Sequence, residues 1–252
     1  MTEPFIYYVT LDRSQLSGSD YALTIPAFGT LEKLELHPKV TYFIGENGTG
    51  KSTLLEAIAV LDGFNPEGGS RNFNFSTRDT HSQLWKCLRI GRGPHPERRS
   101  DGYFLRAETF YNVATEVEEL AKQPGGQDFL NSSYGGKSLH VRSHGESFFT
   151  LFLNRFRGNG LYLLDEPESA LSPKRQLSFL TRMHDLIESG SQFVIATHSP
   201  ILMAYPDSVI YQFSANGIEP IDYEETDHYQ ITKMFLTRRE SMLRQLMRHE
   251  ES

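Results

Sequence analysis

A chain of 252 residues can build its own hydrophobic core, and a composition of 38% hydrophobic and 23% charged residues excludes a disordered protein. A formal net charge of -7 argues against a protein that coats nucleic acid by bulk attraction. The sequence holds no apolar run near the roughly 18 to 20 residues that span a bilayer and no leader pattern, and its single cysteine, Cys87, excludes an internal disulfide. These features favour a soluble protein in a reducing cytoplasm.

The first sixty residues predict an antiparallel β layer followed by a strand, a turn and a helix. Short runs of alternating apolar and polar residues predict the layer, at 5–11, 21–25 and 31–36. A β-branched and aromatic run at 40–44 predicts a buried strand, and residues 51–61 predict a helix. A glycine-rich turn joins this strand to this helix.

The middle of the chain predicts an irregular insertion and a small helical lid. Turn residues recur from 62 to 101 without a sustained period, which indicates an irregular segment with room for a hairpin. A predicted strand at 102–107 and a predicted helix at 113–122 precede a glycine-rich polar loop. We expect one domain, residues 1–252, with its core in 1–61 and 158–252 and the insertion and lid in 62–157.

Strands and helices alternate in the last hundred residues, which predicts an α/β fold with a mostly parallel core sheet flanked by helices. The predicted helices are 146–156, 173–188 and 228–249. The predicted strands are 161–164, 192–197, 208–213 and 217–222, of which the last two form a terminal pair.

The turn between the first buried strand and its helix is a phosphate-binding loop. Residues 45–52, Gly-Glu-Asn-Gly-Thr-Gly-Lys-Ser, match the pattern G-x-x-x-x-G-K-[ST] in the required position between strand and helix. Glycines let the backbone approach the phosphates, Lys51 reaches the β- and γ-phosphates, and Ser52 is a Mg²⁺ ligand. The predicted ATP-binding residues are Gly45, Glu46, Asn47, Gly48, Thr49, Gly50, Lys51, Ser52 and Thr53.

Two acids end the strand predicted at 161–164. Carboxyl ends of strands in an open α/β sheet face the ligand crevice, so Asp165 and Glu166 are expected to meet the nucleotide. Asp165 is predicted to hold Mg²⁺, and Glu166 to orient and polarise the water that attacks the γ-phosphate.

Together with the phosphate-binding loop, Asp165-Glu-Pro-Glu-Ser-Ala-Leu-Ser172 and Ala196-Thr-His-Ser-Pro200 resemble segments of ABC-type ATPases in the correct order. The resemblance spans roughly residues 43–201. It implies a D-loop at a dimer interface in Ser169–Ser172, and a catalytic role beside Lys51 and Glu166 for His198, the histidine that contacts the γ-phosphate.

Arg142-Ser-His-Gly-Glu146 occupies the place of the family's signature loop, usually Leu-Ser-Gly-Gly-Gln. Ser143 and Gly145 are therefore expected to bind the γ-phosphate held by a second subunit, helped by the helix that begins near Glu146. His144 and Glu146 replace the first glycine and the glutamine. Such Ser-x-Gly-Glu forms are typical of non-transporter members.

The position of the family's Q-loop glutamine is occupied by Glu108, a further candidate Mg²⁺ ligand, with Gln83 as an alternative. Tyr21 and Phe28 are both candidates for stacking on adenine. Because no heptad array is present, the chain resembles the head domains of SMC and RecF-like proteins without the coiled coil, in a group of small stand-alone ATPases labelled as AAA family.

The resemblance implies a Mg²⁺-dependent ATPase that forms a homodimer on binding ATP, cytoplasmic and without its own membrane segment. DNA repair, defence or another process on nucleic acid or a partner protein is the leading role. Two sets of basic residues are candidate nucleic-acid contacts: Lys86, Arg89, Arg92, Arg98, Arg99 and Arg106, and Arg238, Arg239, Arg244 and Arg248. The alternatives are the detached nucleotide-binding subunit of an ABC transporter and a module that binds ATP but scarcely hydrolyses it.

Overall fold

The computed structural model describes residues 3–15, 24–71, 82–93, 99–106, 115 and 144–247. The smaller of its two sheets is antiparallel and has the order β2-β1-β4. Its strands are β1 (Ile6–Leu11), β2 (Lys33–Glu35) and β4 (Leu88–Arg92). This sheet confirms the predicted antiparallel layer, and β4 adds a strand that the sequence did not predict.

The larger sheet forms the centre of the molecule, with the order β5-β6-β7-β3-β8-β9. Neighbouring strands are parallel except for the antiparallel pair β8–β9 at one edge. The strands are β3 (Val40–Gly45), β5 (Asp101–Arg106), β6 (Gly160–Asp165), β7 (Gln192–Ala196), β8 (Val209–Ser214) and β9 (Gly217–Pro220). The predicted α/β class is confirmed.

Both faces of the central sheet are covered, so its inner strands carry buried residues at every position. Five helices lie in the described part of the chain: α1 (Lys51–Leu61), α2 (His144–Arg155), α3 (Pro173–Glu188), α4 (Asp227–Thr237) and α5 (Arg239–Leu246). Phe43 and Leu163 point to the face that packs against α1 and the small sheet, whereas Tyr42 and Leu164 point to α2 and α3.

Strand β4 lies in the segment that the sequence predicted to be irregular. It pairs with β1 in the register Val9↔Ile90, and Leu88 is fully buried. Only two apolar residues, Leu88 and Ile90, alternate here, and their neighbours are arginine and glycine. The strand pattern was therefore weaker than the surrounding turn residues, which predicted an irregular segment.

The predicted C-terminal helix is two helices that meet at Arg238, whose φ of -129° and ψ of 31° leave the helical region. The predicted strand at 21–25 was wrong for Thr24 and Ile25, which lie outside any strand and precede a 3₁₀ turn at Pro26–Phe28. Residues 21–23 and, apart from Thr115, the predicted lid helix and its following loop lie outside the described residues.

A buried glutamine connects the two sheets. The Gln192 side chain, on β7, accepts hydrogen bonds from the backbone N–H groups of Phe5 and Ile6 at 2.9 and 3.0 Å. Its amide donates to the carbonyl oxygens of Ile6 at 2.8 Å and His37 at 3.1 Å. Because every polar atom of this buried side chain is satisfied by backbone, the start of β1 is held against the central sheet.

Among the described residues, no helix combines the length and the apolar character needed to cross a bilayer.

Candidate functional site

The carboxyl ends of four neighbouring strands bring the predicted site residues together at one edge of the central sheet. Strand register pairs Arg106 with Asp165, Asp165 with Ala196, and Ala196 with Phe43. The residues that follow these positions therefore emerge side by side. The phosphate-binding loop follows β3, Glu166 follows β6 and His198 follows β7, as expected for a crevice outside a parallel sheet.

The phosphate-binding loop wraps closely around its own lysine. Lys51 Nζ donates to the carbonyl oxygens of Gly45 at 2.7 Å and Glu46 at 3.0 Å. Burial lowers the pKa of the Lys51 amine, and the nearby carboxylates of Glu166 and Asp165 oppose that shift. The loop thus holds a buried cation where phosphate oxygens are predicted to bind.

Gly50 occupies a position in the motif that only glycine can fill without strain. Its φ of +101° lies in the left-handed region, and a Cβ atom there would lie 2.8 Å from Phe28 Cζ and 2.9 Å from Ile25 Cγ2. Phe28 is only 2% exposed because it packs beneath the loop. A buried ring cannot stack on adenine, so that candidate role for Phe28 was wrong, and Tyr21 lies outside the described residues.

Ser52 and Asp165 are the two predicted Mg²⁺ ligands that the structure describes. Ser52 Oγ donates to Asp165 Oδ1 at 2.8 Å. A hydroxyl and a carboxylate fit Mg²⁺, which prefers hard oxygen ligands and keeps several waters and phosphate oxygens. Glu108, the third predicted ligand, lies outside the described residues, as do all of its contacts.

Arg106 is a charged residue at this edge whose place in the site the sequence analysis did not identify. Its Nη1 donates to Glu56 Oε2 at 2.6 Å, and its Nε lies 3.6 Å from Asp165 Oδ2. This arginine therefore contacts the carboxylate of a predicted metal ligand and cannot belong to an open nucleic-acid surface. Its position at the end of β5, beside the end of β6, was the available signal.

Glu166 has an unusual backbone conformation, with φ of 50° and ψ of 51° in the left-handed region. Its N–H donates to the Ala196 carbonyl oxygen at 2.9 Å. The Glu166 side chain is 42% exposed, and its Oε1 lies 3.7 Å from His198 Nε2. This turn directs the carboxylate across the crevice to the histidine that follows β7.

His198 is positioned by Glu168, a residue that the sequence analysis did not single out. Glu168 Oε1 accepts from the His198 backbone N–H at 2.6 Å, and Glu168 Oε2 accepts from Thr197 Oγ1 at 2.8 Å. Burial raises the pKa of the Glu168 carboxyl group. Its spacing inside the Asp165–Ser172 motif was the signal that could have identified it.

The His198 ring also contacts His228, a second residue that sequence reasoning missed. His198 Nδ1 and His228 Nε2 are 3.1 Å apart. Burial and the charge of Lys51 lower the pKa of both histidines. No local pattern links these residues, because they are 30 positions apart and belong to different elements.

The remaining predicted residues lie apart from this cluster or outside the description. Ser143 is not described, whereas Gly145 lies in the first turn of α2, and Glu146 Oε1 is 3.8 Å from Arg175 Nη2. Gln83 lies on an exposed 3₁₀ turn, where its Oε1 accepts from Lys86 Nζ at 2.8 Å. That contact gives Gln83 no visible connection to the phosphate-binding loop.

Part of the first candidate nucleic-acid surface is engaged in internal ion pairs. Asp62, buried at the end of α1, pairs with Arg99 at 2.6 Å, Arg71 at 2.9 Å and Arg92 at 3.5 Å. The Arg99 side chain is only 5% exposed. Arg99 therefore cannot belong to an open basic patch, because the buried carboxylate draws it inward, whereas Arg92 keeps 41% of its side chain exposed. Arg98 lies outside the described residues.

The chain resembles known ATP-binding proteins across this site. A family model described as "AAA domain, putative AbiEii toxin, Type IV TA system" matches residues 141–204, and one described as "AAA domain" matches residues 23–115. The cytochrome c biogenesis ATP-binding export protein CcmA of Rhodopseudomonas palustris is 30% identical over 174 residues, covering 63% of this chain and 77% of that protein.

Two further similarities extend the comparison. The tungstate uptake system ATP-binding protein TupC of Campylobacter jejuni is 26% identical, over 77% of this chain and 58% of that protein, so the chain spans less than two thirds of it. The SMC head domain from Thermotoga maritima is 17% identical, with a TM-score of 0.43 over 86% of this chain and 99% of that one.

Proposed function

The chain belongs to the ABC-type P-loop ATPases and hydrolyses ATP, and on that premise we propose that it is a switch in which ATP binding closes a dimer and hydrolysis opens it. The observation that carries this proposal is the open edge of the central sheet. Glu166 and His198 lie 3.7 Å apart there, yet their side chains remain 42% and 30% exposed. Phosphoryl transfer depends on positioned groups shielded from bulk water, so a second surface is needed to cover them.

Each residue of the cluster has a distinct part in the proposed reaction. Lys51 binds the β- and γ-phosphate oxygens, and His198 contacts the γ-phosphate. Glu166 orients a water molecule and accepts its proton as the water oxygen bonds to the γ-phosphorus. The bond from that phosphorus to the bridging oxygen breaks, which releases ADP and phosphate. Ser52 and Asp165 would hold Mg²⁺, which would neutralise phosphate charge.

A second copy of this chain supplies the covering surface in the proposal. Gly145, in the first turn of α2, and Ser143, which precedes this helix in the sequence, bind the γ-phosphate held by the partner subunit, where the positive end of the helix attracts the anion. Two exposed residues, Ser172 and Ser169, whose hydroxyl donates to the Glu166 carbonyl oxygen, lie in the same interface. Loss of the γ-phosphate removes contacts on which the closed dimer depends, so hydrolysis opens the dimer.

We place this switch in a defence or repair process on nucleic acid or a partner protein. Support comes from the family model at residues 141–204, whose printed description names a putative toxin of a Type IV toxin–antitoxin system. The contact surface excludes Arg99, which is buried against Asp62. Exposed arginines of the second set, Arg238, Arg239 and Arg244, remain on the surface at α5.

A second candidate role is the nucleotide-binding subunit of a transporter. The observation in its favour is the similarity to CcmA and TupC, whose names describe an export protein and an uptake system. Stable copurification of this chain with an integral membrane protein supports the transporter role. An ATP-dependent homodimer with no such partner supports the stand-alone switch.

The solution mass of Glu166→Gln tests the switch directly. This variant keeps Lys51 and the phosphate-binding loop but loses the carboxylate, so we expect it to bind ATP and accumulate the closed dimer. Light scattering after size exclusion should give 28.8 kDa without nucleotide and twice that mass with Mg-ATP. Lys51→Ala is the matched control, because it removes the phosphate contact and should stay at the lower mass. An unchanged mass of Glu166→Gln despite bound ATP contradicts the proposal.

Ser143→Arg tests whether the site is completed by the partner subunit. A bulky cation in the proposed signature loop should block the interface, so we expect hydrolysis to fall about 100-fold while the monomer retains its ATP affinity. Turnover and the binding of a fluorescent ATP analogue at low protein concentration give the two quantities. Loss of monomer binding would place Ser143 in its own subunit's site and reject the two-subunit arrangement.

A further inference from the structure

His228 lies beside the phosphate-binding loop although it is nearly 180 residues further along the chain. It is the second residue of α4, whose start is fixed by the buried Thr226. Thr226 Oγ1 accepts from the Tyr229 N–H at 3.3 Å and donates to the Tyr223 carbonyl at 2.8 Å. A cavity of about 220 Å³ is lined by Gly45, Glu46, Thr49 and His228, together with residues at the end of β8.

The two histidine rings form a single hydrogen-bonded unit. His198 Nδ1 and His228 Nε2 are 3.1 Å apart, a normal distance for an N–H···N hydrogen bond. Glu168 Oε1 accepts a hydrogen bond from the His198 backbone N–H at 2.6 Å, and the Thr226 side chain caps the start of the helix that carries His228. The backbone near each ring is therefore anchored by hydrogen bonds, which limits how far the two rings can move apart.

The charged groups around the pair determine its protonation. Lys51 faces both rings, Glu166 and Glu46 face His198, and Glu46 and Asp227 face His228. Burial and the lysine lower the pKa of both histidines, so both are neutral near pH 7. A neutral imidazole has one N–H, and the short contact between the rings shares one proton between Nδ1 of His198 and Nε2 of His228.

Glu166 decides which ring donates. Its Oε1 lies 3.7 Å from His198 Nε2, which is beyond hydrogen-bond distance, but a carboxylate attracts an N–H and repels a nitrogen lone pair, so the proton of His198 is favoured on Nε2. His198 Nδ1 is then a bare acceptor, and His228 Nε2 must carry the proton between the rings. In this arrangement neither the His198 Nε2–H nor the bare His228 Nδ1 has a hydrogen-bond partner among the described residues, so the Nε2–H is left for the proposed phosphate contact.

We propose that His228 is the positioning residue of His198: by donating from Nε2 to His198 Nδ1, it holds His198 in the tautomer whose Nε2–H faces Glu166 and the γ-phosphate. Without this donor, the other tautomer would present a lone pair to phosphate oxygens and repel them. This inference rests on the proposed γ-phosphate contact of His198. In this proposal His228, on α4, determines whether His198 can donate to the γ-phosphate.

Kinetics of two His228 variants test the donor. His228→Leu fills the space without an N–H, whereas His228→Gln offers an amide N–H in place of Nε2–H. We expect His228→Leu to lower kcat about 10-fold with little change in KM for ATP, and His228→Gln to restore most of the loss, as is typical for residues that orient a functional histidine. Wild-type turnover in His228→Leu, or an equal loss in both variants, overturns the proposal.

A direct reading of the tautomer separates positioning from a merely structural role. In ¹⁵N-histidine-labelled protein without nucleotide, we expect His198 Nε2 to be protonated and Nδ1 to be bare, with the signal assigned by its absence from His198→Gln. His228→Leu should move both ¹⁵N shifts toward the average of the two tautomers. A wild-type His198 protonated on Nδ1 overturns the proposal, even if His228→Leu fails to fold.

This spectrum is also independent of the dimer. It is recorded on the free monomer, so a chain that never dimerises can still show the predicted tautomer. Conversely, an ATP-dependent dimer with His198 protonated on Nδ1 keeps the switch and rejects the role of His228.

Discussion

Glu166 combines a carboxylate exposed in the crevice with a backbone conformation that L-residues rarely adopt. Its φ of 50° and ψ of 51° are stabilised by the hydrogen bond from its N–H to the Ala196 carbonyl. A left-handed backbone conformation costs a residue that has a Cβ roughly 1 to 2 kcal/mol of free energy relative to glycine. The turn that directs the carboxylate toward His198 therefore reduces the stability of the folded state.

Replacement of Glu166 by glycine and by alanine tests this strain. We expect Glu166→Gly to exceed Glu166→Ala in free energy of unfolding by about 1 kcal/mol, because only glycine adopts this φ without strain. Urea denaturation gives both values. At Leu177, an exposed position inside α3, the same pair should rank the opposite way, since glycine costs about 1 kcal/mol in a helix interior. Alanine ranking above glycine at both positions would show that Glu166 stores no strain.

At this scale, the sequence predicted the residues that belong to continuous motifs. Lys51, Asp165 and Glu166 occupy the predicted edge because their spacing and their place after a strand are local properties. His228 and Arg106 were missed, because each reaches the site through a contact between distant elements. Such contacts depend on strand order, which a single sequence leaves open.

Three segments near the end of α1 are joined by one buried carboxylate. Asp62, whose side chain is 2% exposed, pairs with Arg71, with Arg92 at the end of β4, and with Arg99 ahead of β5. The sequence predicted only an irregular insertion here, since neither strand pairing nor ion pairing has a local period. The loop after α1 is nevertheless bound to both sheets by this cluster.

Asp62→Asn should therefore destabilise the protein strongly. The substitution leaves Arg99, only 5% exposed, without its charged partner, and loss of one member of a buried pair costs about 3 kcal/mol. Thermal or urea unfolding measures the change. Glu35→Gln is the control, because it breaks the Lys33–Glu35 pair at 2.8 Å, whose side chains are 49% and 74% exposed, and should alter stability little. Similar losses in both variants would contradict the buried role of Asp62.

The two C-terminal helices illustrate a boundary that sequence pattern could not place. Apolar residues continue at helical spacing through the break at Arg238, so the pattern predicted one helix. Neither α4 nor α5 has a buried residue among those described. Since packing does not select one long helix, the backbone of Arg238 can leave the helical region at little cost.

Over the whole molecule, the sequence predicted the α/β class and most elements of the central sheet. Buried parallel strands are continuous apolar runs, and such runs are visible without knowledge of their neighbours. The order β5-β6-β7-β3-β8-β9 was not predicted, because it places β3, from the first fifth of the chain, between β7 and β8, which lie near its other end. That order depends on the packing of helices on both faces.

Three partly buried histidines are expected to contribute a pH dependence to the stability of the fold. Burial lowers the pKa of His37, His198 and His228 below the usual value of 6.5. The unfolded chain binds protons first as the pH falls, so this stability is present above pH 6.5 and is lost as the pH falls through the folded pKa values.

We therefore expect the urea midpoint to be lower at pH 5.5 than at pH 7.5. The double variant His198→Gln, His228→Gln removes two of these groups and should show a smaller decrease. Equal midpoints of the parent chain at both pH values, or an unchanged decrease in the double variant, would refute this origin of the pH dependence.

The Gln192 side chain has a consequence for synthesis on the ribosome. It binds the backbone of Phe5 and Ile6, at sequence separations of 187 and 186 residues. At translation rates of about 5 to 20 residues per second, the start of β1 waits roughly 10 to 40 seconds for this partner. During that interval the nascent N-terminal strands expose apolar faces, which makes this segment the expected binding site for chaperones and the part of the chain most sensitive to translation speed.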